Sequence, residues 1–583
     1  MRLVFVPSLN LSGFAGRSGE PELDSLIPPL GVLTLAAITD AAGHETAIVD
    51  LNFEVSQRSL GLDADFHRKA AELILAERPA VVGFSTMCNS FHIALEVAQE
   101  VRLRAPDVPI LLGGPQVSYC DAETLERFPF VDVVLRGECE ASLPALLAAM
   151  EAGRGYEDIP GLSWRGPDGA VVRTCGAAGP ANLDEVPLPA WKLVPYDLKG
   201  GFAIDVGRGC PFACDFCSTS VFFQRRFRLK SFERILSEAR WLRDEFGARA
   251  ITFVHDLFTA NRKWVRAFCE YLIEHRQGDE LEFVWSASAR IDTVDESLLK
   301  IMHDAGCRAL FFGVETGSQE LQRVIGKRLK IPTVVPVGQA CMRVGIEPTL
   351  SFIAGFPTER EEDIAASFDL IGELLAAECT NIQLHMMSPQ VGTPDLVNHK
   401  AALRLDNVYS DIAMGASVFL RPDWFAAHPE MFASFYYFDN PALPRERLIG
   451  ADYFIRFIGN SMRNTVAHLA KTERLWDVYL EWSAWLRAAG VAQPAGIGAQ
   501  YNSDFEARAK LANPSPDTTP DEWLLEFSRF VEARYGPEAA APSTDEILAY
   551  YLRQYHGKEV YTPKPGVDLD RELETEGSAA WRR

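Results

Sequence analysis

Three of the chain's eleven cysteines, Cys210, Cys214 and Cys217, fall in the run GRGCPFACDFCSTS at spacings of four and three. A run this tight can wrap three thiolates around one inorganic core, with the aromatic Phe216 beside the last of them as a shield from water. Zinc would call for a fourth ligand close by, and no Cys or His follows at zinc-ligand spacing. Three thiolates suit a [4Fe-4S] cluster, in which the fourth iron stays open and can chelate a small molecule.

The elements that must position this loop alternate between strand and helix. The strand GFAIDVG (201–207) delivers the cysteines, and the apolar runs AITFVHD (250–256), EFVWSAS (282–288), RALFFGVE (308–315), EPTLSFIAG (347–355) and NIQLHMMS (381–388) follow, separated by segments of helical periodicity. Polar residues collect at the carboxyl ends of these otherwise apolar strands: His255 and Asp256, then Ser286, Ser288 and Arg290, then Glu315. An ammonium wants a carboxylate, a ribose wants paired hydrogen bonds, and a carboxylate wants a guanidinium fork, so these residue types match a zwitterionic nucleoside. Arg290 and Glu315 either meet such a ligand or form a salt bridge with each other. Gln383 and His385 share a face of the last strand, since side chains alternate with period two, and either could face a substrate.

The C-x3-C-x2-C spacing with an aromatic before the third cysteine resembles the signature of the radical S-adenosylmethionine (SAM) enzymes. That resemblance implies a partial (β/α)6 barrel with its active residues at the carboxyl ends of the strands. It also implies that Cys210, Cys214 and Cys217 hold a [4Fe-4S] cluster whose open iron binds the amino and carboxylate groups of SAM, and whose reduced form cleaves SAM to a 5'-deoxyadenosyl radical. Asp256 then belongs near the methionyl amine, with Ser286, Ser288, Arg290 and Glu315 as further SAM contacts. AGFPTE (354–359) and SPQVGTP (388–394) shape the adenine site and the barrel mouth. His255 and His385 are the candidate catalytic histidines, against the alternative that each is simply packed in the barrel.

Upstream, the first 150 residues also alternate. Strands at 2–8, 45–52, 80–86, 109–114 and 131–138 are separated by helices, which predicts a parallel sheet covered on both faces, a doubly wound Rossmann-like fold that binds ligands at its strand ends. The strand ends STMCNS, GGPQVS and RGECE, lying directly before the cysteine domain, resemble the cobalamin-binding domain of one large branch of the radical SAM superfamily. The resemblance implies cobalamin contacts from Ser85, Thr86, Met87, Asn89, Gly113, Gly114, Gln116, Gly137 and Glu138. The D-x-H-x-x-G pattern by which some cobalamin enzymes supply a histidine to cobalt is absent. His92, at the start of a helix with no Asp two residues before it, reads as a helix-surface or core histidine, which leaves the lower face of cobalt to the segment from Thr86 to Ser90.

The α/β organisation expected is therefore a cobalamin domain (1–150), a linker (151–197), the barrel (198–400) and a helical C-terminal domain (401–583) rich in Trp, Tyr and Phe at helical spacing. With 57 basic against 80 acidic residues the chain carries a net charge of -23, which argues against a nucleic-acid substrate. No apolar run is long enough to span a bilayer and the first residues do not read as a signal peptide, so a cytoplasmic enzyme with no membrane partner is expected. The resemblance implies a methyltransferase acting on an unactivated carbon or phosphorus of a small-molecule or peptide substrate, with flavodoxin or ferredoxin as electron donor. The alternatives are a non-methylating radical reaction on the same cofactors and a non-catalytic cobalamin and cluster sensor.

Overall fold

The computed structural model describes residues 1–11, 28–194, 201–276, 283–490 and 520–556. Its first sheet begins with five parallel strands, β1 (Arg2–Val6), β2 (Glu45–Ile48), β3 (Val81–Ser85), β4 (Ile110–Gly113) and β5 (Val133–Leu135), in the order β2-β1-β3-β4-β5. Period-two alternation sorts β1 between two cores: Leu3 and Phe5 join a cluster with Leu143 and Leu147, whereas Val4 and Val6 join Phe66, Ala70 and Val97 on the other face. The chain runs from β1 to β2 on one side and then to β3 on the other, so the strand order reverses at β1, where open α/β sheets bind ligands.

The segment 151–197, read from its sequence as a linker with a small hairpin at a Pro-Asp-Gly turn, does form that hairpin and also extends the first sheet with it. Strands β6 (Leu162–Arg165) and β7 (Val171–Arg173) form a hairpin that adds antiparallel to β5, because Leu162 and Trp164 complete the apolar cluster under that edge. The Asp168-Gly169 turn closes it, with Gly169 at φ 80° and Gly166 N–H donating to Ala170 O at 2.8 Å.

The second sheet starts at β8 (Phe202–Asp205). A short antiparallel ladder of β9 (Gly207–Arg208) and β10 (Arg228–Leu229) brackets the cysteine loop, and β11 (Ala250–Val254), β12 (Val284–Ala289), β13 (Cys307–Glu315), β14 (Glu347–Ala354) and β15 (Ile382–Met386) follow in parallel sequential order. Outward residues Ile251, Phe253, Trp285, Leu310 and Phe312 are buried against the covering helices, with Phe253 stacked on Trp285. Helix 232–246 is fixed at its ends by Ser231, whose hydroxyl accepts from Arg234 N–H at 3.1 Å, and by Gly247 at φ 70°.

The region past residue 400, expected as one helical domain, is divided between two surfaces. Phe425, Phe432 and Phe435 pack against Phe91 and His92 of the first domain. Phe454, Trp476 and Tyr479 pack instead on Phe368 of the barrel's helix 361–376. Each stretch follows the apolar helix face nearest to it; residues 491–519 and 557–583 of that expected domain lie outside the described residues. Among the described residues no helix is long and apolar enough to cross a membrane.

Candidate active site

The carboxyl ends of both sheets open onto one cavity of about 700 Å³. The first sheet contributes Ser85, Met87, Gly113, Gly114, Gly137 and Glu138, and the barrel contributes Asp205, Gly207, Arg208, His255, Asp256 and Ser288. Nine of the residues singled out from sequence thus line a single space: Ser85, Met87, Gly113, Gly114, Gly137, Glu138, His255, Asp256 and Ser288. Sequence reasoning missed the wall formed by residues 29–35 at the start of the first long helix, since a Pro-Leu-Gly helix start carries no chemical signal.

The glycines of this cavity are required by geometry. Gly114 has φ 104°, and a Cβ there would sit 2.7 Å from the carbonyl oxygen of Thr86 and 2.9 Å from its nitrogen. Gly137, at φ 75°, faces empty space. This is a cradle that side chains would fill, and with the apolar Leu3, Phe5, Leu112 and Leu135 around it the site suits a large, flat cofactor such as cobalamin. We expect Gly114→Ala to cost at least about 1–3 kcal/mol, seen as a lower thermal midpoint and a lower cobalamin content after reconstitution.

Other expected cobalamin contacts are turned elsewhere. Thr86 is fully buried, donating to Gly113 O at 2.8 Å and accepting from Val117 N–H at 3.2 Å, so it shapes the cradle from behind. Gln116 donates to Met431 O at 2.7 Å and is used to dock the C-terminal segment. Asn89 lies in the half-buried turn after β3 without lining the cavity. His92 is buried between Phe425 and Phe435, with Nε2 3.1 Å from Ala416 O and burial holding its pKa down to about 3, so it is a core histidine away from the cavity.

Glu138 reaches the cavity as part of a charge network. Its two oxygens accept from Arg208 at 2.9 Å and from Arg228 at 2.6 Å, while Arg208 also bonds Asp205 at 2.8 Å and Glu140. The network joins the end of β5 to the start of the barrel across the cavity wall, and all five side chains are mostly buried. Pairing over about 70 residues of sequence left no local signal, although Arg208 stands two residues before the first cysteine.

The cysteine loop is clamped on several sides. Asp256 accepts from Gly209 N–H at 2.8 Å, and burial raises its pKa against that bond. Asp215 N–H donates to Ile325 O at 3.1 Å, and the first domain's Tyr119 donates to Ser218 O at 2.7 Å. Cys210, Cys214 and Cys217 are half-buried, with burial pushing the Cys214 thiol up to about 11, so metal binding there displaces protons. Among the described residues no three His, Cys, Asp or Glu side chains converge on a single metal-ion position. Three half-buried thiolates on one short loop are the soft donors that a [4Fe-4S] cluster takes, so the donor set fits such a cluster.

Arg290 and Glu315 do not pair with each other. Arg290 is buried, bonds Asp292 at 2.7 Å and the Lys327 carbonyl, and lies over the Phe212 ring at 4.2 Å. Glu315 takes Lys327 as its partner and sits at φ 69°, at a slip in the β13–β14 register. Gly313 lies directly under that pair, leaving no room for a side chain. Lys327 was not picked from sequence, since it lies in a loop 12 residues beyond its partner. Strained non-glycine backbone of this kind concentrates at functional sites.

On the inner face of the barrel, Thr252 and Ser286 lie 3.4 Å apart, and Gln383 and His385 share the inward side of β15. His385 Nδ1 lies 2.7 Å from Asp411 and Nε2 3.3 Å from Gln383 Oε1. Burial works against ionisation of Asp411, but His385 and Arg456 hold its pKa below the usual value. His255 accepts from Leu257 N–H at 2.8 Å through Nδ1, packs on Phe227, and is pushed by burial down to about 4, so it is neutral at physiological pH.

With a cysteine-loop barrel and a glycine-cradled parallel sheet sharing a cavity, comparison with known proteins decides the family. Residues 204–371 match the radical SAM superfamily and residues 22–147 the B12 binding domain. An uncharacterized methyltransferase of Pyrococcus horikoshii is 31% identical over 371 residues, covering 63% of this chain and 77% of that protein. The chain belongs to the cobalamin-dependent radical SAM family. An anaerobic magnesium-protoporphyrin IX monomethyl ester cyclase of Rubrivivax gelatinosus is 27% identical over 60% of this chain and 63% of its own length. The fold is also that of the radical SAM methyltransferase TsrM from Kitasatospora setae, with a TM-score of 0.60 at 16% identity over 84% of this chain and 99% of that one. As a member of this family, in its methyltransferase-like branch, the chain is a radical SAM enzyme that works with a [4Fe-4S] cluster, SAM and cobalamin.

Proposed function

We propose that this cobalamin-dependent radical SAM enzyme methylates an unactivated carbon of a small molecule in the cytoplasm. The observation that carries the reading is the shared cavity, because radical formation at the barrel and methyl delivery from the first domain must meet at one substrate atom. Cys210, Cys214 and Cys217 are the ligands for the cluster, and Asp256, Ser286 and Ser288 the groups for SAM, with Arg290 and Glu315 bracing the wall behind them. Gly113, Gly114 and Gly137 cradle cobalamin, and Met87 is the side chain of the Thr86–Ser90 segment that covers its face. When bound, SAM and cobalamin supply a radical able to remove an unactivated hydrogen and a carrier for the methyl group. His385, oriented by Asp411, is the group able to hold or release a proton on a substrate hydroxyl or amine inside the barrel.

A second reading, a radical reaction on the same cofactors without methyl transfer, is favoured by the presence of cyclases among the relatives. Co-product analysis separates the two. Anaerobically reconstituted enzyme turning over a candidate substrate should form S-adenosylhomocysteine and 5'-deoxyadenosine in equal amounts. Product accompanied by 5'-deoxyadenosine alone would establish the non-methylating reaction.

A further inference from the structure

The short helix Pro115–Tyr119 lies between the glycine cradle and the cysteine loop, and its last two side chains reach one each. Ser118 Oγ donates to Gly114 O at 2.7 Å and accepts from Gly137 N–H at 2.9 Å, so a single hydroxyl ties together the two glycine loops of the cradle. Tyr119 donates to Ser218 O at 2.7 Å, one residue past Cys217. That carbonyl does not need the phenol, because it already accepts from Phe222 N–H at 2.9 Å and Val221 N–H at 3.1 Å. What the bond adds is a tie between the first domain and the cysteine loop. The ring is fixed where it stands: Phe222 meets it edge-on at 6.5 Å, and the backbone of Gly392, at φ 81°, presses so closely that a Cβ there would lie 2.5 Å from Tyr119 Cδ1. Arg208, two residues before Cys210, bonds Glu138, so the cysteine loop is fastened to the first domain at both ends.

We infer that Tyr119 is a positioning residue that couples the two cofactors. A filled cradle restrains Gly114 and Gly137, Ser118 and Tyr119 pass that restraint to Ser218, and the loop then presents Cys217 in the place a cluster takes. Such a coupling free energy is shared, so each cofactor raises the affinity of the protein for the other by the same factor. The arrangement suits the proposed chemistry, since a radical made beside an empty cradle has no methyl carrier to meet. The inference rests on the roles proposed above for the three cysteines and the glycine cradle.

The test measures hydroxocobalamin binding to the full-length protein by equilibrium dialysis, with and without the anaerobically reconstituted cluster. Wild type should bind measurably without the cluster and about tenfold more tightly with it. Tyr119→Phe keeps the ring and leaves Ser218 O its two backbone donors. In this variant the ratio should fall below about threefold, while binding without the cluster stays within about twofold of wild type. Electron paramagnetic resonance of the reduced cluster gives a second readout: its g values should change on cobalamin binding in wild type and stay put in the variant. A wild-type ratio near one, or a variant ratio equal to that of wild type, would overturn the inference. So would equal losses of affinity with and without the cluster, which would make Tyr119 part of the cradle alone. Iron and cobalamin uptake by wild type report separately on the cofactor roles: a protein that takes up neither fails those roles, and the coupling with them.

Discussion

Replacing Cys210, Cys214 and Cys217 together by Ala should leave no cluster absorbance and no detectable SAM cleavage while cobalamin still binds. The three thiolates stand on one clamped loop, held by Asp256, Ile325 and Tyr119. The cradle at Gly113, Gly114 and Gly137 belongs to the other sheet, so its occupancy should survive. Iron analysis and visible spectra of the anaerobically reconstituted triple variant check this. Full iron content would end the assignment of the loop.

The second large effect is expected at Arg208. This side chain is the shared partner of Glu138, Glu140 and Asp205, all mostly buried at the cavity wall. In Arg208→Met the volume is kept but Glu140 and Asp205 lose their Arg208 bonds, and Glu138 keeps only Arg228. Removing one member of a buried ion pair typically costs about 3–5 kcal/mol. A drop of that size in thermal stability is predicted, together with weaker cobalamin retention, because the network joins the two halves of the cavity. A variant as stable as wild type would mean that water enters the wall and solvates the carboxylates.

Much of this arrangement was readable from the chain. The parallel sheets follow from short apolar strands alternating with helices, and period two correctly put Gln383 and His385 on one face of β15. Strand-end reasoning brought Ser85, Gly113, Gly137, Asp256 and Ser288 into one cavity, because in parallel sheets loop chemistry gathers at the carboxyl edge. What it could not supply were partners and directions set by distant sequence. Gln116 reads as a loop residue beside a glycine pair, yet the segment around Met431 captures it. Glu315 and Arg290 look complementary on neighbouring strands, but Lys327 and Asp292 are closer partners. The helical region after residue 400 shows aromatic stripes without showing that half of them serve the first domain and half the barrel. Residue types predict which chemistry is possible, while packing decides which atoms remain available for it.

The account stands or falls on both cofactors facing one space, and electron paramagnetic resonance measures that directly. Cob(II)alamin and the reduced [4Fe-4S] cluster are both paramagnetic. In the fully reconstituted enzyme, reducing the cluster should broaden the cob(II)alamin signal and speed its relaxation, and the triple Cys→Ala variant should lose this effect. A cob(II)alamin signal in wild type that ignores the state of the cluster would place the two in separate sites and contradict the shared cavity.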